Sequence, residues 1–121
     1  MISGIDLNAT WDFTLPKDKT NPTVWKLGIL PTTITGVLVD KTGTDFFETI
    51  IWVVRLALRG WDNFKINGKD VEYRSGKDSF FGHEVEAVTK ELIDTIPIPV
   101  ITALAKEIQE KSQISQAEQK N

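Results

Sequence analysis

The stretch Asp45–Gly60, DFFETIIWVVRLALRG, decides how the rest of the chain is read. It is apolar almost all round at helical spacing, which predicts a central helix starting at Asp45 and stopping near Gly60. Asp45 followed three residues later by Glu48 resembles a capping box, and glycine's freedom at positive φ suits Gly60 to a helix end. On such a helix Glu48, Trp52, Arg55 and Arg59 fall three or four residues apart and stack along one face. Stacked guanidinium groups repel unless carboxylates answer them, and Glu48 and Asp62 are the local candidates. Trp52 beside Arg55 suits a cation–π pair. Tryptophan and arginine are enriched in binding hot spots, so Glu48, Trp52, Arg55 and Arg59 form a candidate protein-binding face. The competing reading covers Trp52 within the chain, by the N-terminal arm or the carboxy-terminal helix.

Upstream of this run, Pro16, Pro22 and Pro31 punctuate the β-favouring stretches WDFTL, TVWKL and ITGVLV, which predicts strands or extended arms there. Pro22 and Pro31 bracket Thr23–Leu30, a segment expected at a sheet edge or as an arm, where a missing amide donor is tolerated. Gly43, Thr44 and Asp45 stop the extended region. Trp11 and Trp25 are expected to pack the sheet onto the long helix, and Trp61 to cover the helix end.

Downstream, Asn67-Gly68 is the strongest short hairpin signal, with Phe64 and Ile66 set against Val71 and Tyr73. The glycine-flanked GKDSFFG reads as a loop whose phenylalanines tuck against the domain. Val85, Val88, Leu92, Ile93 and Ile96 recur at helical spacing up to Pro97. Val100, Ile101, Leu104, Ala105 and Ile108 then form the apolar face of a second amphipathic helix, which fits either the long helix of the same chain or a second copy. The final SQISQAEQKN is polar, with a capping-box-like Ser115-x-x-Glu118, and reads as a mobile tail or a further short helix. The expected architecture is a single α+β domain over residues 1–111 with a polar end over 112–121. A small N-terminal β-rich region and a hairpin pack on the central helix, followed by C-terminal amphipathic helices.

With 121 residues, 40% of them hydrophobic and 26% charged, the chain has the profile of one soluble domain. The absence of cysteine excludes disulfides, thiolate zinc sites and thiol catalysis. Cytosolic life is the simplest reading. The apolar run is shorter than the roughly 20 residues a membrane span requires, and Glu48 and Arg55 interrupt it. MISGIDLNATWDF has no basic leader followed by an apolar stretch, so no secretion signal is read there. A net charge of −3 argues against general nucleic-acid binding, which draws on a basic excess.

No chemistry-bearing pattern is complete. His83-Glu84 lacks the second histidine of a zinc motif, and Phe64 and Ile66 occupy places where a calcium loop needs oxygen ligands. No glycine-rich loop ends in Lys-Ser or Lys-Thr, and no serine has a recognisable histidine base. Glu84, Glu86, Glu91 and Asp94 fit a solvated face. No catalytic residue, cofactor or metal is therefore expected.

IDLNATWDF, NPTVWKLGIL, VVRLALRGWDNFKINGKDVEY and ELIDTIPIPVITALAKEIQEKSQISQAEQKN follow one another along nearly the whole chain. In this succession, above all in RLALRGWDNF before the glycine turn and in the polar ending EQKN, it resembles small proteins from the structural-gene region of tailed bacteriophages and prophages. These are described as tail assembly chaperones or tail-associated proteins. The resemblance implies a non-enzymatic protein that binds phage tail proteins during tail morphogenesis, carries no catalytic residues, and either leaves after assembly or stays in the virion. A phage-encoded inhibitor or regulator of a host protein is the alternative for a small acidic chain of this kind.

Overall fold

The computed structural model describes residues 1–42 and 45–119 and has an α+β fold. Strands β1 (Thr10–Phe13) and β2 (Val24–Gly28) pair antiparallel, with Trp11 opposite Leu27 and Phe13 opposite Trp25. Pro22 and Pro31 both lie outside β2, so no ladder donor is lost. That strand is accordingly the centre of a three-stranded sheet, not the edge or arm expected from the two prolines.

ITGVLV is helical, contrary to its β-favouring composition, within α1 (Thr32–Thr42). Pro31 precedes the first turn, and its carbonyl accepts from both the amide and the hydroxyl of Thr35. Ile34, Val37 and Leu38 fall on one side and pack on the core, so burial outweighs strand propensity. Gly43 and Thr44, read as a stop, lie outside the described residues.

The central helix α2 (Phe46–Ala57) starts as expected, with the Asp45 carboxylate accepting the Glu48 amide at 3.0 Å. It ends three residues before Gly60. Leu58 turns extended, and β3 (Leu58–Asp62) pairs with the open side of β2, placing Trp61 opposite Trp25 and Gly60 opposite Lys26. The apolar run is thus a helix joined directly to a buried strand. A run buried on all sides carries no period that separates the two.

Asn67 and Gly68, at φ 53° and 78°, form the predicted tight turn between β4 (Lys65–Ile66) and β5 (Lys69–Asp70). The Val71 amide donates to the Phe64 carbonyl as expected, whereas Ile66 faces Lys69 and Tyr73 leaves the hairpin. The segments read as a loop and a helix instead form a second hairpin, β6 (Ser75–Phe80) and β7 (His83–Val88). Its turn is Phe81-Gly82, both at positive φ, and the alternation in HEVEAV suits a strand with one covered face. Glu84 and Glu86 therefore stand exposed on a strand.

Only Lys90–Ile93 of the next expected helix is helical, as α3, capped by the Thr89 hydroxyl. Helix α4 (Ile98–Gln119) begins against the Pro97 carbonyl, which accepts from the amides of Val100 and Ile101. Ile101, Leu104, Ala105 and Ile108 are buried, and α4 packs along α2, so this face is filled within the chain. The helix runs unbroken past Ser115 and Glu118, and Ser112 is buried, its hydroxyl accepting the Leu30 amide at 3.2 Å. Each fully buried Leu or Ile of this core contributes about 1.5–3 kcal/mol over its exposed state. Among the described residues no helix is long and apolar enough to cross a membrane.

Candidate functional site

Helix α2 does not present the expected four-residue stripe. Glu48 is exposed in the first turn, Trp52 is half-buried one turn on, and Arg55 is only 4% exposed. Arg59 is not on the helix at all. Its side chain crosses β2 at Gly28, where a Cβ would stand 2.8 Å from Arg59 Nε, and Nη1 donates to the Leu56 carbonyl at 2.6 Å. The repulsion foreseen between two stacked arginines therefore does not arise. Neither local carboxylate answers Arg55 either: Asp62 pairs with Lys26 across the sheet, at 3.5 Å.

Arg55 instead reaches the second hairpin. Its Nε donates to the Val88 carbonyl at 2.9 Å and its Nη2 to the Asp78 carboxylate at 2.8 Å. The guanidinium carbon lies 4.8 Å from the Trp52 ring centre, so the foreseen cation–π contact forms, but inside the protein. The Arg55 hydrogen bond, with the Ser79 amide adding a second, holds the Asp78 carboxyl below the usual carboxylate range. Hydrogen bonds and charge together tie the helix to β6 and β7.

Beside this pair opens a groove of about 510 Å³, between α2, α3 and the start of α4. Phe47, Ile51, Trp52, Ile93, Ile96, Ile98 and Ile101 give it apolar walls, while Arg55, Lys90 and Asp94 supply its charged groups. Trp52 leans on Phe80 at 4.7 Å between ring centres, and Phe80 on Phe81 at 4.9 Å. Phe80 is sealed, but Phe81 is 42% exposed, Phe47 52%, Ile98 60% and Phe46 72%. Of these, Phe47 and Ile98 line the groove, and exposed apolar residues beside an apolar groove are more notable than isolated ones. The size falls within the roughly 300–1,000 Å³ of ordinary ligand pockets. Trp52 is thus covered in part by Phe80 of the second hairpin, while α4 packs along the same helix.

Of the face expected from sequence, Trp52 and Arg55 line the groove; Phe47 and Ile98, which also line it, and Asp78, which pairs with Arg55, were not singled out. Phe46 and Phe47 directly follow a cap residue that stays exposed, a signal that the first turn points partly outward. Asp78 carried no signal, because its partner lies 23 residues away.

The other tryptophans are structural. Trp11 donates its indole N–H to Glu107 on α4 at 2.9 Å, and Trp61 donates to the Val71 carbonyl at 2.7 Å. Trp61 sits edge-on to Trp25, Phe64 and Tyr73, within the sheet rather than over a helix end. Among the described residues no cluster of three or more His, Asp or Glu could hold a metal ion, and His83 lies exposed at the start of β7, away from the groove lining. No protein-family model matches the chain, and neither a curated protein nor a solved structure matches it.

Proposed function

We propose that this chain is a non-enzymatic protein-binding protein of bacteriophage tail morphogenesis, acting as a tail assembly chaperone, with the groove at Trp52 as its contact surface. The observation that carries the binding role is the half-exposed Phe47 and Ile98 lining an apolar groove together with Trp52 and Arg55. Exposing this much aromatic and aliphatic surface has no folding benefit, and it matches the buried anchors that dominate protein contacts. The groove's polar groups are few, which suits holding an apolar segment better than transforming a substrate. The tail setting draws its support from the sequence likeness described above.

Co-expression with phage tail-tube and tape-measure proteins tests the reading. Phe47→Ser with Ile98→Ser should leave the fold intact and abolish co-purification of the partner. A folded double variant that still retains every co-expressed tail protein would eliminate the groove as the contact surface, and a wild-type chain that retains none would eliminate the tail role.

A further inference from the structure

Asn67-Gly68 closes the first hairpin with both residues at positive φ, 53° and 78°. The same pair carries a chemistry that the fold does not use. A backbone amide nitrogen can attack the side-chain carbonyl carbon of an asparagine directly before it, because the five-membered ring that results is unstrained. The attack needs a following residue that has an N–H, that brings no Cβ against the incoming carbonyl, and whose amide is not held elsewhere. It also needs an asparagine side chain that is free to turn.

The described asparagines differ on these requirements. Asn21 precedes Pro22, which has no N–H to attack with. Asn63 precedes Phe64, and its Nδ2 donates to the carbonyls of Asn21 and Pro22 at 2.6 and 3.4 Å. Asn8 is exposed, but the amide of Ala9 after it donates to the Asp6 carbonyl at 3.2 Å. Asn67 meets every condition. Both it and Gly68 are exposed, the space where a Gly68 Cβ would stand is open, and the Gly68 amide has no hydrogen-bond partner among the described residues.

Ring closure requires Asn67 to leave its turn conformation, and the hairpin resists this weakly. β4 and β5 hold two residues each, every residue from 65 to 70 is exposed, and the Lys65–Asp70 ion pair is 3.6 Å between exposed groups. A two-stranded hairpin of this size is marginal by itself, so its tip opens while the core stays closed. The base stays anchored by the Val71 amide on the Phe64 carbonyl and by the Trp61 indole on the Val71 carbonyl.

We infer that Asn67-Gly68 is a deamidation site, at which the chain passes through a succinimide and ends as aspartate or isoaspartate. The Gly68 nitrogen bonds to Asn67 Cγ, the Cγ–Nδ2 bond breaks, and Nδ2 leaves as ammonia with the proton that the Gly68 amide gave up. Water then opens the ring at either carbonyl. Each product carries one more negative charge than the −3 of the unmodified chain. Isoaspartate also routes the backbone through the side-chain carbon, so two residues no longer make the tight turn that pairs Ile66 with Lys69. None of residues 65 to 70 lines the groove, so this chemistry is independent of the binding role proposed above.

The test incubates the full folded chain at mildly alkaline pH and follows intact mass and peptide maps, beside the Asn67→Gly variant and a urea-unfolded sample. The wild-type chain should gain the mass difference of an amide replaced by an acid, at Asn67 and at least ten-fold faster than at Asn8, Asn21 or Asn63. Isoaspartate should be among the products. Asn67→Gly keeps a turn that accepts positive φ and should lose the mass gain. Conversion that begins at another asparagine, or that proceeds equally in Asn67→Gly, would overturn the assignment. Aspartate as the sole product would overturn the succinimide route. No conversion of the folded chain, over a time in which the unfolded chain converts completely, would overturn the inference as a whole.

Discussion

Two aromatic clusters divide this small protein, and they end differently. Around the three-stranded sheet, Trp25, Trp61, Phe64 and Tyr73 contact one another edge-on or tilted, and the polar tips of Trp61 and Tyr73 reach the carbonyls of Val71 and Leu58. Around the second hairpin, Phe80 is sealed, while Phe81, Phe47 and part of Trp52 reach the surface. Aromatic residues alone therefore do not mark a binding site. What separates the clusters is the degree of closure: in the first Trp25 and Trp61 are buried and Phe64 and Tyr73 partly buried, whereas the second leaves Phe47 and Phe81 exposed.

The sharpest test of that difference is Trp61→Ala. It removes a ring that three aromatic partners and one hydrogen bond hold in place, and should cost about 3–5 kcal/mol in urea denaturation. A cost below about 1 kcal/mol would mean that the sheet cluster is no more closed than the groove.

Next in size is the tie between α2 and the second hairpin. Asp78→Ala leaves the Arg55 charge buried against Val88 alone, which should cost about 1.5–3 kcal/mol. Asp78 is partly exposed, which keeps this below the penalty for breaking a fully buried pair. The same pair has a pH signature. Because the folded-state pKa of Asp78 lies below its ordinary value of 3.8, its contribution is complete above pH 3.8 and disappears as pH falls through the lowered value. Asp78→Asn should flatten that part of the acid-unfolding profile. Tyr73 gives the opposite sign at the other cluster: burial raises its pKa above 10.0, so its contribution is complete below pH 10.0 and is lost as pH climbs past the raised value. Tyr73→Phe should remove that alkaline step and lower stability by about 1 kcal/mol near neutrality, through loss of the bond to the Leu58 carbonyl.

These two regions also show what local sequence could and could not disclose. Asp45 and the Asn67-Gly68 turn were legible because their signals act within four residues, through a cap and through positive φ. The apolar face from Ile101 to Ile108 was legible because its opposite side is polar. The end of α2 was not: Leu56, Ala57 and Leu58 are all buried, so apolar character continues unchanged where helix becomes strand. Only pairing with β2, more than 30 residues back in the chain, sets that boundary. At the site, Trp52 and Arg55 stood out as residue types, but Arg59 was added by a helix that had already ended. Asp78, which settles whether Arg55 is a surface or an interior charge, was hidden by distance along the chain.

The smallest expected effect on stability is the most telling one for function. Phe47 lies in the first turn of α2, just past the cap, with half its surface already in water. Its replacement by serine removes little buried area and disturbs no hydrogen bond of the cap, because Asp45 binds the Glu48 amide. The change in unfolding free energy should stay within about 0.5 kcal/mol, as for surface positions generally. Binding should respond in the opposite proportion, since Phe47 forms one wall of the groove over Trp52. Paired measurements of stability and partner binding on this single variant therefore separate a surface kept for a partner from an imperfectly closed core. A loss of several kcal/mol with Phe47→Ser would place the residue with Trp61, in a core, and the contrast between the two clusters would vanish.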